Sequence, residues 1–413
     1  MKEKTLEYGQ DTLLYSHLPV NWEDGMVVSA QHLSDANKYI IGSVLNSRLI
    51  QTNPVNYGLL PCYFKAHIYD DTNAYHALKF ASKSDNPNID YFTVRLTHCN
   101  AILPSSQLIH ITPDTIRSGK YDENDLTDSI KPSESSYDEG YILVYLEVEP
   151  TYSPVGNLKD DEEFNRQPYL NTKAHLKHTF LRSSEQIEVS NYLNSDNQLP
   201  LRIYRFNSNS CTLITTYIPP CTSINASKNL IKYYNEFGEQ AKTLLNSLTE
   251  TLKYSHSEPS KYSNMGIFLP PIVSALVQII AKFNGHLKYA LPIEIVEVFK
   301  SLAIAIYSSY YTLNENNRKE LEHYFNKFRK PTNKELFIES VNAFIRENYM
   351  HNNCDVIFKK VQALITESAS LFEEVSKHGL EPHAIPIDVD PNLGTKPKRS
   401  ETDKSGEAGG RFW

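Results

Sequence analysis

Between about residues 60 and 220, apolar and polar side chains alternate with a period of two. In Tyr91-Phe92-Thr93-Val94-Arg95-Leu96, Phe92, Val94 and Leu96 fall on one face and Tyr91, Thr93 and Arg95 on the other, as in a half-buried strand. Runs of the same kind span Tyr75 to Phe80, Leu108 to Thr112, Tyr141 to Glu149, Leu201 to Phe206 and Leu213 to Ile218. Segments rich in Asn, Asp, Ser and Pro separate them. Short strands at this spacing predict an antiparallel sandwich or barrel.

From about residue 225 the period becomes helical. Ile272, Leu276, Ile279, Ile280 and Phe283 make one apolar stripe, and Val298, Phe299, Leu302, Ala303 and Ile306 a second. Phe337, Val341, Phe344 and Ile345 continue the pattern, followed by Val361, Leu364, Ile365, Leu371, Phe372 and Val375. Four or more amphipathic helices with short connections predict a bundle, and such stripes read as its core. The most apolar run, Ile267 to Phe283, contains Pro270 and Pro271 and falls short of the roughly 18 to 20 residues of a membrane span. It is expected to be a buried helix entered through its prolines.

After Gly379 the pattern fades into a segment holding Pro382, Pro386, Pro391 and Pro397, then a charged, Gly/Ser-rich stretch ending in Arg411-Phe412-Trp413. Too little apolar surface is present there to order it alone. Two aromatic rings behind a cation on a tether have the form of a short binding motif. The fold class expected is α+β. An arm over 1–20 leads into an antiparallel β-sandwich shell over 21–222, an α-helical bundle over 223–379 and a disordered, flexible C-terminal tail over 380–413.

Composition narrows the function classes. With 413 residues, 40% apolar and 22% charged, the chain has ample material for two folded units. A net charge of -8, with no Lys/Arg cluster among aromatics, argues against nucleic acid as a partner. The 27 tyrosines suit both strands and protein contact surfaces. Cys62, Cys99, Cys211, Cys221 and Cys354 are scattered without a C-x-x-C pair, as reduced thiols would be. No apolar stretch follows the charges of Met1 to Glu7, so a cytoplasmic location is expected.

No phosphate loop, nucleophile elbow or zinc-ligand spacing stands in a supporting context. His175 and His178, three apart, lack a third ligand of fixed spacing and read as surface histidines. Glu147 and Glu149 share one strand face before Pro150, and Asp160 to Glu163 form a charge run; both read as solvated. Neither an enzyme, a cofactor, a metal nor a small-molecule substrate is expected.

Three stretches carry a more specific signal. Asn21-Trp22-Glu23-Asp24-Gly25-Met26-Val27-Val28-Ser29-Ala30-Gln31-His32-Leu33 precedes Tyr57-Gly58-Leu59. Leu199-Pro200-Leu201-Arg202 precedes Tyr217-Ile218-Pro219-Pro220-Cys221-Thr222-Ser223-Ile224-Asn225-Ala226-Ser227, and Tyr349-Met350-His351-Asn352-Asn353 is followed by Phe358. In order and content they resemble TssK, the baseplate subunit family of type VI secretion systems. That family carries W-x-E-G-M-x-L-x-P-Q-H-F with a later W-G-L, then L-P-L with F-I-P-P-C-L-x-I-x-A-S, then Y-D-H-D/N. Here Asp24, Ala30 and Tyr57 depart from the pattern.

Each motif also has a local physical reading. Trp22 and Met26 are expected to anchor a loop in an apolar layer, with Gly25 permitting a turn that a side chain would obstruct. Pro219 and Pro220 are expected to end the last strand, with Ser223 or Asn225 capping the next helix. Tyr349 opens a segment in which His351 and its asparagines suit a buried polar network fixing a helix junction. The resemblance implies a homotrimer whose shell docks on TssF and TssG, at the cytoplasmic face of the inner membrane.

Only about 35 residues follow the last helix, too few for the family's usual head domain. The chain looks like the shorter Bacteroidetes form, and its tail, with Arg411, Phe412 and Trp413, is expected to reach an inner-membrane complex protein instead. The alternative is a receptor- or glycan-binding module of a phage-tail-like particle.

Overall fold

A computed structural model describes residues 18–61, 78–81, 91–155, 169–182, 189, 193, 195–207, 210–257, 259–328 and 337–378. Cys62, most of the arm, the start of the Tyr75 to Phe80 run, the Asp160 to Glu163 run and the tail with Arg411, Phe412 and Trp413 lie outside the described residues.

The N-terminal half opens with helix α1 (Ala30–Gln51). Ten strands follow among the described residues: β1 (Gly58–Leu59), β2 (Leu78–Ala81), β3 (Phe92–Leu96), β4 (Cys99–Ile102), β5 (Leu108–Ile111), β6 (Thr127–Ile130), β7 (Gly140–Val155), β8 (Tyr169–Arg182), β9 (Gln198–Asn207) and β10 (Ser210–Leu213), with short α2 (Pro113–Arg117) between β5 and β6. They form three antiparallel sheets ordered β1-β4-β5, β2-β3-β6 and β10-β9-β7-β8. The alternation holds where one face meets the core: Val94 and Leu96 in β3, Cys99 and Ala101 in β4, and Ile109 and Ile111 in β5 are buried.

Strand β9 buries both faces. Leu201, Tyr204 and Phe206 join the main core, while Ile203 packs with Leu143, Leu181, Val189 and Tyr217 in a second small cluster. A strand covered on both sides loses its alternation. Tyr204 also meets Phe92 across the sheets, ring centroids 5.5 Å apart.

Two sequence expectations are corrected here. Strand β7 continues past Pro150 to Val155, its pairing with β8 shifting register between Val148 and Tyr152. A bulge is where a strand tolerates a residue without an amide proton. The run from Leu213 to Ile218 is a strand only at its first residue, after which the chain turns with Tyr217 N donating to Ile214 O at 3.3 Å.

The C-terminal half is helical: α3 (Lys228–Ser257), α4 (Pro259–Asn284), α5 (Pro292–Tyr311), α6 (Glu315–Phe328), α7 (Phe337–Ile345) and α8 (Cys354–His378). Helix α3 packs on α4 and α8, and α5 on α4 and α7. On α3, Phe237 meets Phe299 of α5 edge-on at 5.4 Å and stacks on Phe358 of α8 at 6.1 Å. The predicted stripes face inward, with Ile272, Leu276, Phe299, Leu302, Val341, Ile365 and Phe372 buried.

Pro270 and Pro271 lie inside α4, not at its start, because the helix begins at Pro259. Residues Asn264–Asn284 are long and apolar enough to cross a membrane by length and composition. The segment is nonetheless two-sided: Phe268, Ile272, Leu276 and Ile279 are buried among the other helices while Ile267 and Val277 face outward. At α5 a proline does occupy the first turn, and Leu291 N donates to Glu294 Oε1 at 3.3 Å. Sheets and helices share one continuous core, which passes from Leu59 and Ile218 through Cys221 and Ile224 to Leu230 and Phe237.

Candidate functional site

Three of the segments singled out in the sequence meet where sheet gives way to bundle. The seam begins with Gly58, whose φ of +109° lies in the region glycine alone visits freely. A Cβ there would stand 2.1 Å from the carbonyl oxygen of Pro220, so the two backbones approach as only glycine allows. Leu59 N donates to Pro220 O at 2.8 Å, Thr222 N to Leu59 O at 2.9 Å, and Thr222 Oγ1 to the same carbonyl at 3.0 Å. Leu59 and Cys221 thereby form a parallel bridge. Pro219 and Pro220 supply carbonyls here and, lacking amide protons, leave no donor to satisfy.

From the other side comes the short 3-10 turn His351–Asn353 that precedes α8. His351 Nε2 lies 2.8 Å from Tyr57 O, which only accepts, so this nitrogen carries the proton. Nδ1 is then free to accept from the Tyr349 hydroxyl, also at 2.8 Å. The Tyr57 hydroxyl donates to Asn352 Oδ1 at 2.5 Å, the Tyr217 hydroxyl to Asn352 O at 3.2 Å, and the Tyr57 ring meets the imidazole edge-on at 4.7 Å. Tyr57, Tyr217, Tyr349 and His351 thus close one network between residues nearly 300 positions apart in sequence.

Burial sets the charge state of this network. It holds His351 down to about 4, outweighing the Tyr57 carbonyl, so the imidazole is neutral near pH 7. Burial likewise pushes Tyr57, Tyr217, Tyr349, Cys221 and Cys354 up, keeping the phenols and thiols protonated. Asp355 is also raised by burial, against the pull of Lys359 Nζ at 3.1 Å. The neutral histidine, with both nitrogens engaged, cross-braces two segments; neither it nor the protonated thiols offer a poised base or an activated nucleophile.

The first motif is placed differently. Trp22 is half exposed, touching the His32 ring edge-on at 6.3 Å, and Met26 is only partly covered. The anchoring expected of them is therefore corrected: this segment lies on the surface. Gly25 has φ +81° with nothing within 4 Å of where a Cβ would stand, so its turn requires the torsion and not the space. Ser29 Oγ accepts from His32 N at 3.2 Å to cap α1, and Gln31 Nε2 donates to Asp35 Oδ1 at 2.8 Å. Neither Ser223 nor Asn225 caps a helix; among the described residues their buried side-chain oxygens have no hydrogen-bond partner.

Strands β7 and β8 align Glu147, Glu149, His175 and Lys177 around a cavity of about 270 Å³. Glu147 pairs with Lys177, which with its hydrogen bond lowers the carboxyl, and accepts from Gln198 Nε2 at 2.8 Å. His175 lies 3.1 Å from Glu149, and His178 lies 2.6 Å from Asp128. These carboxylates and histidines, expected to be plainly solvated, are cross-strand pairs on a part-buried face. Among the described residues no group of three or more His, Cys, Asp or Glu side chains is placed to hold a metal.

Tyr57 and Tyr217 are network members to which sequence reasoning gave no role, and for Tyr217 it is the hydroxyl that was missed. Its place directly before Ile218-Pro219-Pro220 is the signal that was available.

No protein-family model and no curated protein matches the chain. Among solved structures it is similar to a crystal structure of TssK, at 13% identity and TM-score 0.46 over 85% of this chain and 69% of that one. TssK of the EAEC type VI secretion system bound to nanobody nb18 gives 14% and 0.47 over 81% and 68%. A chain of the TssK-TssF-TssG baseplate subcomplex gives 14% and 0.46 over 86% and 98%.

Proposed function

We propose that the chain is a non-catalytic structural subunit of a type VI secretion baseplate, of the TssK kind. In this reading it is a homotrimer in the cytoplasm, at the face of the inner membrane. Its shell, residues 21–222, binds TssF and TssG. Its helical bundle, 223–379, is the neck. Residues 380–413, with Arg411, Phe412 and Trp413 as anchors, reach an inner-membrane complex protein.

One observation carries the reading. Tyr57-Gly58-Leu59, Pro219-Pro220-Cys221-Thr222 and Tyr349-His351-Asn352, three of the pieces by which the sequence resembles that family, interlock at the sheet-to-bundle junction. Together these segments build one joint between sheet and bundle. Its imidazole is neutral and engaged at both nitrogens, as suits a bracing role.

The test is co-purification from cells expressing a complete baseplate operon. The intact chain should bring down TssF, TssG and a membrane-complex protein. A chain truncated after Gly379 should keep TssF and TssG and lose the membrane protein. Recovery of the chain without TssF and TssG overturns the function, and retention of the membrane protein by the truncated chain overturns the role of the tail.

A further inference from the structure

Helices α5, α6 and α7 enclose a small cleft lined by Tyr310 and Tyr311 from α5, Glu322 and Phe325 from α6, and Phe337 and Glu339 from α7. Its volume of about 110 Å³ is below the roughly 300 Å³ at which small-molecule pockets begin, and suits one aromatic side chain. Tyr311 leaves 52% of its surface open at the rim. The Tyr310 hydroxyl donates to the Glu322 carboxylate.

Arg318 stands over the same two tyrosines, its Cζ 5.8 and 5.4 Å from their ring centroids. Its buried Nε has no hydrogen-bond partner among the described residues. A buried donor without an acceptor is costly, so this corner calls for a ligand that brings one. Around the aromatic floor, Glu322 and Glu339 outnumber Arg318, and the occupant that fits is an aromatic ring beside a cation.

The chain carries such a pairing on a tether that starts close by. Phe325, in the floor of the cleft, meets Phe372 of α8 edge-on at 6.1 Å. Helix α8 ends at His378, roughly 9 Å beyond Phe372 at 1.5 Å per residue. Residues 379–413 follow and end in Arg411, Phe412 and Trp413. A chain of roughly 30 residues has an end-to-end distance of roughly 30 Å, which gives an attached ligand an effective concentration on the order of mM.

We infer that Arg411-Phe412-Trp413 folds back onto this cleft in the free chain, Trp413 entering against Tyr311, Phe325 and Phe337 while Arg411 meets Glu322 and Glu339. Residues two apart share one face of an extended segment, so Arg411 and Trp413 reach the cleft together. Glu407, four residues ahead, brings a carboxylate for Arg318. A second copy or another protein would have to find the cleft from solution, whereas the tail is already held beside it. The inference goes beyond the baseplate reading, because it concerns the tail before any partner is bound: a partner of Arg411, Phe412 and Trp413 must first displace them from the bundle.

The experiment uses the full chain. Its two tryptophans are Trp22 and Trp413, and Trp22 is half exposed, so Trp22→Phe leaves Trp413 as the only reporter. Acrylamide quenching of its fluorescence is measured in W22F, W22F/Y311A, W22F/R411E and W22F/R411E/E339R. Far-ultraviolet circular dichroism is the folding control, since Tyr311 and Glu339 are exposed. The expected quenching rate is several-fold lower in W22F than in W22F/Y311A or W22F/R411E, and low again in the charge-swapped W22F/R411E/E339R.

Equal quenching in W22F and a folded W22F/Y311A overturns the inference. Protection that appears only as protein concentration is raised overturns it too, because the occupant is then another copy. A charge-swapped variant that stays freely quenched overturns the contact between Arg411 and Glu339. Should Trp413 be freely quenched in W22F while TssF and TssG still co-purify with it, the baseplate reading stands and the fold-back alone fails.

Discussion

Gly58 and His351 are two positions where the junction depends on the identity of a single residue. Gly58→Ala puts a methyl 2.1 Å from Pro220 O at a φ of +109°. Something must shift, and a cost of roughly 3 kcal/mol is expected, read as a lowered midpoint in chemical denaturation. His351 makes stability depend on pH. Its folded value of about 4 lies below its ordinary 6.5, so as pH falls the unfolded chain binds the proton first.

The contribution is fully present above pH 6.5 and is lost as pH falls to about 4, amounting to roughly 3 kcal/mol over that window. In His351→Gln the unfolding free energy should vary less with pH between 6.5 and 4; an unchanged slope would contradict the buried neutral imidazole. The role of His351 was legible in sequence, because a histidine flanked by asparagines and a tyrosine is suited to a closed polar network. That of Trp22 was not. A tryptophan beside a methionine reads as an anchor, and sequence alone does not tell a buried apolar cluster from one turned outward.

At the scale of elements, α3 is the helix on which the bundle closes. Phe237 touches α5 and α8 through Phe299 and Phe358 and is fully buried, so Phe237→Ala should cost about 3–5 kcal/mol by equilibrium unfolding. The Glu147–Lys177 pair joining β7 to β8 is more exposed, and a double-mutant cycle should give it less than about 1 kcal/mol. The helical stripes were legible because each has a single buried side.

Helix α1 was not, since it carries apolar residues on two opposite sides, Leu45 inward and Leu33, Ile40 and Val44 outward, and this blurs the contrast by which an amphipathic helix is recognised. Asn37 interrupts the outward stripe and blurs it further. Pro150 misled for the opposite reason. Proline usually ends a strand, and its accommodation at the register shift of β7 depends on how β8 pairs, which is not local information.

For the whole molecule, the order of strands then helices followed directly from the change of period, whereas the single core crossing residue 222 did not. Periodicity reports which side of an element is covered and says nothing of what covers it. The backbone bridge from Leu59 to Cys221 and the reach of His351 to Tyr57 O create that continuity. The joint thereby ties the sheets to the helices through backbone and side-chain contacts alike.

The central claim, a trimeric structural subunit acting through TssF and TssG, is tested most directly by the mass and composition of the complex recovered on the tagged chain from cells expressing TssF and TssG. The account predicts three copies of the chain together with both partners. A single copy recovered without either would contradict it.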